Sequence, residues 1–147
     1  RRGHTWPLKE SYPGPFQTHQ AWLWDGTAMA YHGSLPGGGV YIGIASVDGR
    51  TIWEHEFPKA RFYGHLTPDA KRPALILDGD FTRDQLQWLY YDQQEPRLEP
   101  ICCHNTEWGS LPGQYSHPHP LTDASGRWIS FTAAKNGRSD VYVVEVV

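Results

Sequence analysis

Gly64-His65-Leu66-Thr67-Pro68-Asp69 runs through a short polar turn into Ala74-Leu75-Ile76-Leu77, and the stretch ends at Asp78-Gly79-Asp80. Four apolar residues bounded by Pro, Asp and Gly are too few for a helix and read as a buried strand. Two more segments follow, Gln87-Trp88-Leu89-Tyr90-Tyr91 and then Leu98 to Cys103. The order is therefore a histidine, a few residues, an aspartate, a turn, an apolar strand and a further strand.

That order recurs on both sides. Upstream, Thr18-His19-Gln20-Ala21-Trp22-Leu23-Trp24 reaches the tight-turn pair Asp25-Gly26 and then the strand Ala28-Met29-Ala30-Tyr31-His32. A Gly-rich turn at Gly37 to Gly39 precedes Val40-Tyr41-Ile42-Gly43-Ile44, and Asp48-Gly49 turns the chain into the alternating Thr51 to Phe57. Downstream, His117 precedes a turn at Ser125-Gly126 and the strand Trp128 to Thr132, and Asn136-Gly137 closes a hairpin into Val141 to Val146. His19, His65 and His117 head the cycles at spacings of 46 and 52 residues. A period of that size with several short strands per unit is the mark of β-propeller blades. The expected fold is all-β, a partial propeller of about three blades forming one segment over residues 1–147. Its blades fall at roughly 1–60, 61–112 and 113–147. Residues 1 to 18, punctuated by Pro7, Pro13 and Pro15, are expected to hold one short edge strand and a loop.

Composition agrees with this reading. Seven Trp, eight Tyr, 15 Gly and 12 Pro against a single Met describe a turn-rich β chain, and 147 residues suffice for a core. A net charge of -3 implies no basic face, so a nucleic-acid partner is not expected. No apolar run is long enough for a membrane-spanning helix, and Arg1-Arg2-Gly3-His4 opens no apolar signal core. Cys102 and Cys103 are adjacent and are the only cysteines, which excludes a disulfide framework and fits reduced thiols in a cytoplasmic setting.

The densest chemistry lies in Gln114-Tyr115-Ser116-His117-Pro118-His119-Pro120. On an extended segment, residues at i and i+2 share a face, so His117 and His119 can reach one ion, and Gln114 can bring an amide oxygen from the preceding turn. Pro118 and Pro120 keep the segment out of a helix and stiffen it. A rigid loop with exposed imidazoles is the plain alternative. In a propeller the innermost strands converge near a central channel, which makes His65 the natural third imidazole.

Several of these stretches resemble the oligogalacturonate lyases, seven-bladed propeller enzymes of pectin breakdown. Thr18-His19-Gln20-Ala21-Trp22 with Asp25-Gly26 is similar to their His-Glu-x-Trp…Asp-Gly stretch. His65-Leu66 with Asp78-Gly79 resembles their second histidine segment, and His104-Asn105-Thr106-Glu107-Trp108 their His-Asp-Thr-x-Trp. Gln114 to Pro120 matches Gln-x-x-His-Pro-His-Pro. The similarity runs in order from Thr18 to the carboxyl end and corresponds to the carboxyl-terminal part of such enzymes.

The resemblance implies a divalent ion, manganese in this family, on His65, Gln114, His117 and His119, with His19 as general base. The implied reaction is β-elimination on short, often unsaturated, oligogalacturonates. The residue types suit it. A metal bound to the uronate carboxylate stabilises charge developing as the C5 proton leaves. Neutral ligands leave the ion's charge available to substrate, and an imidazole with a pKa of about 6.5 is a suitable base near neutrality.

Three departures stand out. Gln20 replaces the family's Glu, no upstream arginine can be matched, and three blades do not close a propeller. Open blade edges invite pairing, so missing blades or self-association are expected to cover them. Two other readings follow: a propeller module that binds metal or uronate without turnover, and a zinc hydrolase, which lacks a matched carboxylate base. Outside the site, His104 is expected to be structural, and His4, His32 and His55 to be surface or strand histidines. Trp22 is expected to pack beneath the site, with stacking on a sugar as the alternative, and Asp25, Asp69 and Asp123 are expected to form turns.

Overall fold

The computed structural model describes residues 3–9, 17–58, 64–79 and 84–146. Arg1, Arg2, Asp80 and half of the expected amino-terminal strand and loop lie outside these residues. Among the described residues there are eleven strands and no helix. They form three antiparallel sheets in which each strand pairs with its sequence neighbour. The first sheet holds β1 (Gln17–Trp22), β2 (Ala28–Ser34), β3 (Val40–Ser46) and β4 (Thr51–Phe57). The second holds β5 (Leu66–Pro68), β6 (Ala74–Leu77), β7 (Gln85–Tyr90) and β8 (Arg97–Cys103). The third holds β9 (Leu121–Thr122), β10 (Trp128–Lys135) and β11 (Arg138–Glu145). The first strands adjoin one another, β1 beside β5 and β5 beside β9, as in successive propeller blades.

The stacking explains the apolar run in β6. Leu75 and Leu77 pack toward the first sheet with Ala30, Val40, Ile42 and Ile44. Ala74 and Ile76 point the other way, onto Ile129 and Phe131 of the third sheet. With both faces of the middle blade covered, strict alternation of polar and apolar residues is unnecessary, and all four side chains are fully buried.

Turn chemistry sets the registers. Thr27, Lys71 and Ser125 donate their backbone N–H groups to Asp25, Asp69 and Asp123, each two residues back, at 2.9, 2.8 and 3.2 Å. These carboxylates are the turn formers the sequence predicts. Asp69 also accepts the indole N–H of Trp88 at 2.9 Å and so ties its turn to the blade core. Asn136 and Gly137 both have positive φ, 53° and 76°, as a two-residue hairpin between the paired Lys135 and Arg138 requires.

Trp22 departs from expectation. It is 54% exposed at the end of β1 and does not pack beneath the site.

Candidate metal centre and base

The site gathers where the three first strands meet. His65 immediately precedes β5, and its backbone N–H and ring Nδ1 engage the two carboxylate oxygens of Asp78 at 2.8 and 2.7 Å. Asp78 is fully buried. A carboxylate accepts, so Nδ1 carries the proton and Nε2 presents a lone pair. That Nε2 is buried and has no hydrogen-bond partner. A metal-ligating histidine is oriented in this way by a carboxylate behind it. Gly64 makes room for the contact, since a Cβ there would stand 2.6 Å from Asp78 Oδ1.

His117 and His119 arrive on a loop pinned from several sides. The His117 N–H closes a turn onto the Gln114 carbonyl at 3.0 Å. Thr132 of β10 donates its hydroxyl to the His117 carbonyl at 2.6 Å and its N–H to the Pro118 carbonyl at 2.8 Å. Thr106 donates to the Ser116 carbonyl and accepts from the Ala134 N–H. The indole of Trp108 meets the His117 ring edge-on at 5.3 Å. His119 has a φ of 47°, a left-handed conformation that is costly for a side chain with a Cβ and persists where surroundings enforce it.

The ligand atoms of His65, His117 and His119 all lie within 4.8 Å of one another. The rings of His65 and His119 are 3.7 Å apart between centroids, those of His65 and His117 5.3 Å. Burial, and then the neighbouring His65, hold His117 and His119 below the usual imidazole pKa. Their neutral forms predominate near neutrality, as metal ligation requires. The donor set therefore fits a divalent ion, the orphaned Nε2 of His65 above all.

Gln114 stands on the rim. It is exposed, and with His119, Tyr115 and Thr132 it lines an open cleft of about 490 Å³. Its backbone interacts with the His119 ring.

His19 sits in the bulge where the β1–β2 register shifts between Thr18 and Ala21, with φ at 50°. Bulges re-aim side chains next to active sites, and here the imidazole lies edge-on to His65 at 4.6 Å. His19, His65 and His119 line a second cleft of about 300 Å³ with Gln20 and Thr67. Burial, followed by the charge of His65, lowers the His19 pKa.

Two residues beside the site fall outside the sequence reading. His32, expected as a surface or strand histidine, is 1% exposed, and its Nε2 lies 2.8 Å from His19 Nδ1. Desolvation, then His19, holds its pKa down at about 4. It is buried because it shares a β2 face with Ala28 and Ala30, both in the core. Asp78 reads in the sequence as the end of a strand, whereas it anchors His65. One signal was available: each partner lies 13 residues after its histidine. His104 is structural as expected, buried with Nδ1 accepting the Thr106 N–H at 3.2 Å. His4 is exposed, and His55 packs between Trp53 and Phe57 on β4.

Successive blades whose first strands bring histidines to one point define a class: β-propeller-like proteins with a histidine cluster that could hold a metal ion. Comparison with known proteins narrows it. No family model matches the chain. Two curated relatives, the oligogalacturonate lyase of Dickeya dadantii and the oligogalacturonide lyase of Pectobacterium atrosepticum, are each 27% identical over 153 aligned residues. Each alignment covers 95% of this chain and 39% of the relative. Among solved structures, the oligogalacturonate lyase of Vibrio parahaemolyticus superposes with a TM-score of 0.74 at 25% identity, covering 99% of this chain and 39% of that one. An oligogalacturonate lyase in complex with manganese superposes with a TM-score of 0.72 at 22% identity, over 95% of this chain and 38% of that one. In sequence and in fold the chain resembles the oligogalacturonate lyases, and it spans about 39% of the length of the curated relatives it matches.

Proposed function

We propose that these residues form the metal-and-base part of a lyase that cleaves short oligogalacturonates by β-elimination. The observation that carries this reading is the meeting of three imidazole ligand atoms within 4.8 Å beside a fourth imidazole, His19, that faces the same cleft. His65, His117 and His119, with Gln114 from the rim, would hold a divalent ion, and the manganese-bound relative makes manganese the first choice. When bound, such an ion supplies Lewis acidity at a uronate carboxylate.

The chain's own residues do the rest. His19, neutral at working pH because its pKa is lowered, accepts the C5 proton. Asp78 keeps the His65 ring in one orientation, and the Thr132 and Thr106 hydrogen bonds hold the histidine loop in place before any ligand arrives. A preorganised site spends little reorganisation energy at the moment of reaction.

Metal analysis beside a turnover assay tests the proposal. One equivalent of manganese in the protein, and ultraviolet-absorbing unsaturated uronate released from digalacturonate, are expected. His19→Ala is expected to keep the metal and lose the product. A protein that takes up no ion sinks the reading. Gln20 in place of the family's Glu favours a second reading, a module that binds metal and uronate without turnover. Bound metal with no product from any oligogalacturonate would establish it.

A further inference from the structure

His32 has no place in the reaction as described, yet it is buried against the base. Two neutral imidazoles in contact at 2.8 Å hold one proton between the facing nitrogens. If His19 Nδ1–H donates, His19 Nε2 keeps a lone pair and can accept a proton from substrate. If His32 Nε2–H donates instead, His19 carries its proton on Nε2 and cannot act there as a base.

The neighbouring blade selects the first arrangement. It repeats the geometry: His65 and Asp78 are also 13 residues apart, with Nδ1 again the engaged nitrogen, and there the carboxylate leaves Nδ1 only the donor role. By the same geometry His19 Nδ1 donates, and His32 Nε2, which faces it at 2.8 Å, accepts.

We propose that His32 is a positioning residue that locks His19 in its Nδ1–H tautomer, leaving Nε2 as the proton acceptor at the cleft. The catalytic part of this inference rests on His19 being the base; the tautomer itself does not. His32 also steadies an imidazole carried on a left-handed residue within a bulge, a backbone that does not fix the ring unaided.

Two-bond 1H–15N correlation spectra of the 15N-histidine-labelled chain at neutral pH read the tautomer directly, with His19→Ala assigning the signals. Wild type is expected to show His19 as Nδ1–H. His32→Phe is expected to move it toward Nε2–H, and His32→Gln, whose amide oxygen can accept in place of Nε2, to restore Nδ1–H. In turnover, His32→Phe is expected to lower kcat about 100-fold, within the range of general-base catalysis, with little change in KM and recovery in the Gln variant. An Nε2–H tautomer in wild type overturns the assignment whatever the activity, as does an unchanged tautomer in folded His32→Phe. If His32→Phe does not fold, the wild-type and His32→Gln spectra decide. An Nδ1–H tautomer in a chain that binds metal without turnover supports the hydrogen-bond assignment and refutes the lyase reading.

Discussion

In the second blade His65 Nδ1 meets the carboxylate of Asp78 at 2.7 Å, while in the first His19 Nδ1 meets the imidazole of His32 at 2.8 Å. Both partners are buried, and both lie near the end of their blade's second strand, 13 residues after the histidine they hold. The difference is charge. A buried carboxylate orients His65 and strengthens its lone pair as a ligand. A neutral imidazole orients His19 without placing an anion on it that would favour its protonated form, which suits the proposed role of base. In the proposed reaction, one strand geometry would thus serve ligation in one blade and proton transfer in the next, according to the residue at one position.

The largest expected effect comes from breaking the ligand set that the comparison takes for granted. His117→Ala combined with His119→Ala leaves one imidazole of three, and elemental analysis is expected to find metal in wild type and none in the double variant.

A pH titration separates the two buried partners. His32 has a folded pKa of about 4, below the usual 6.5, so between these values the unfolded chain binds the extra proton. Stability is full above pH 6.5 and falls as pH drops toward 4, by at most about 3 kcal/mol from this group. Denaturant unfolding at several pH values is expected to show the fall, and His32→Phe to flatten it.

Neutralising the second blade's anion gives a smaller change. Asp78→Asn removes the charge and leaves one accepting oxygen for the two His65 donors, so manganese affinity measured by calorimetry is expected to drop about 10–100-fold. The His19 tautomer is expected to stay as it is, which confines the effect to one blade.

Gly64→Ala probes the space that the second blade needs and the first does not. A Cβ pressing on Asp78 Oδ1 at 2.6 Å is expected to cost about 1–3 kcal/mol in unfolding experiments and to weaken metal binding through His65.

Much of the fold was legible because local chemistry carried it. The Asp-Gly and Asn-Gly pairs bound short apolar runs, and strands appear at those runs within a few residues of their expected ends. Asp25, Asp69 and Asp123 cap their turns as their residue type predicts. The face on which Trp22 lies was not legible, because residue type alone does not say which way a tryptophan at the end of β1, just past the bulge between Thr18 and Ala21, is turned; it is exposed.

The sequence by itself determined the element types, the three-unit repeat and the histidines that head the units, since each depends on residue type and spacing alone. Tertiary structure decided which groups stand behind those histidines. Asp78 reads as a strand end and His32 as an ordinary strand residue until β2 and β6 pair with β1 and β5. Only that pairing, together with burial on both faces of the middle blade, removes water from the carboxylate and the second imidazole. Without competing water, one hydrogen bond is enough to set how each site histidine presents its free nitrogen.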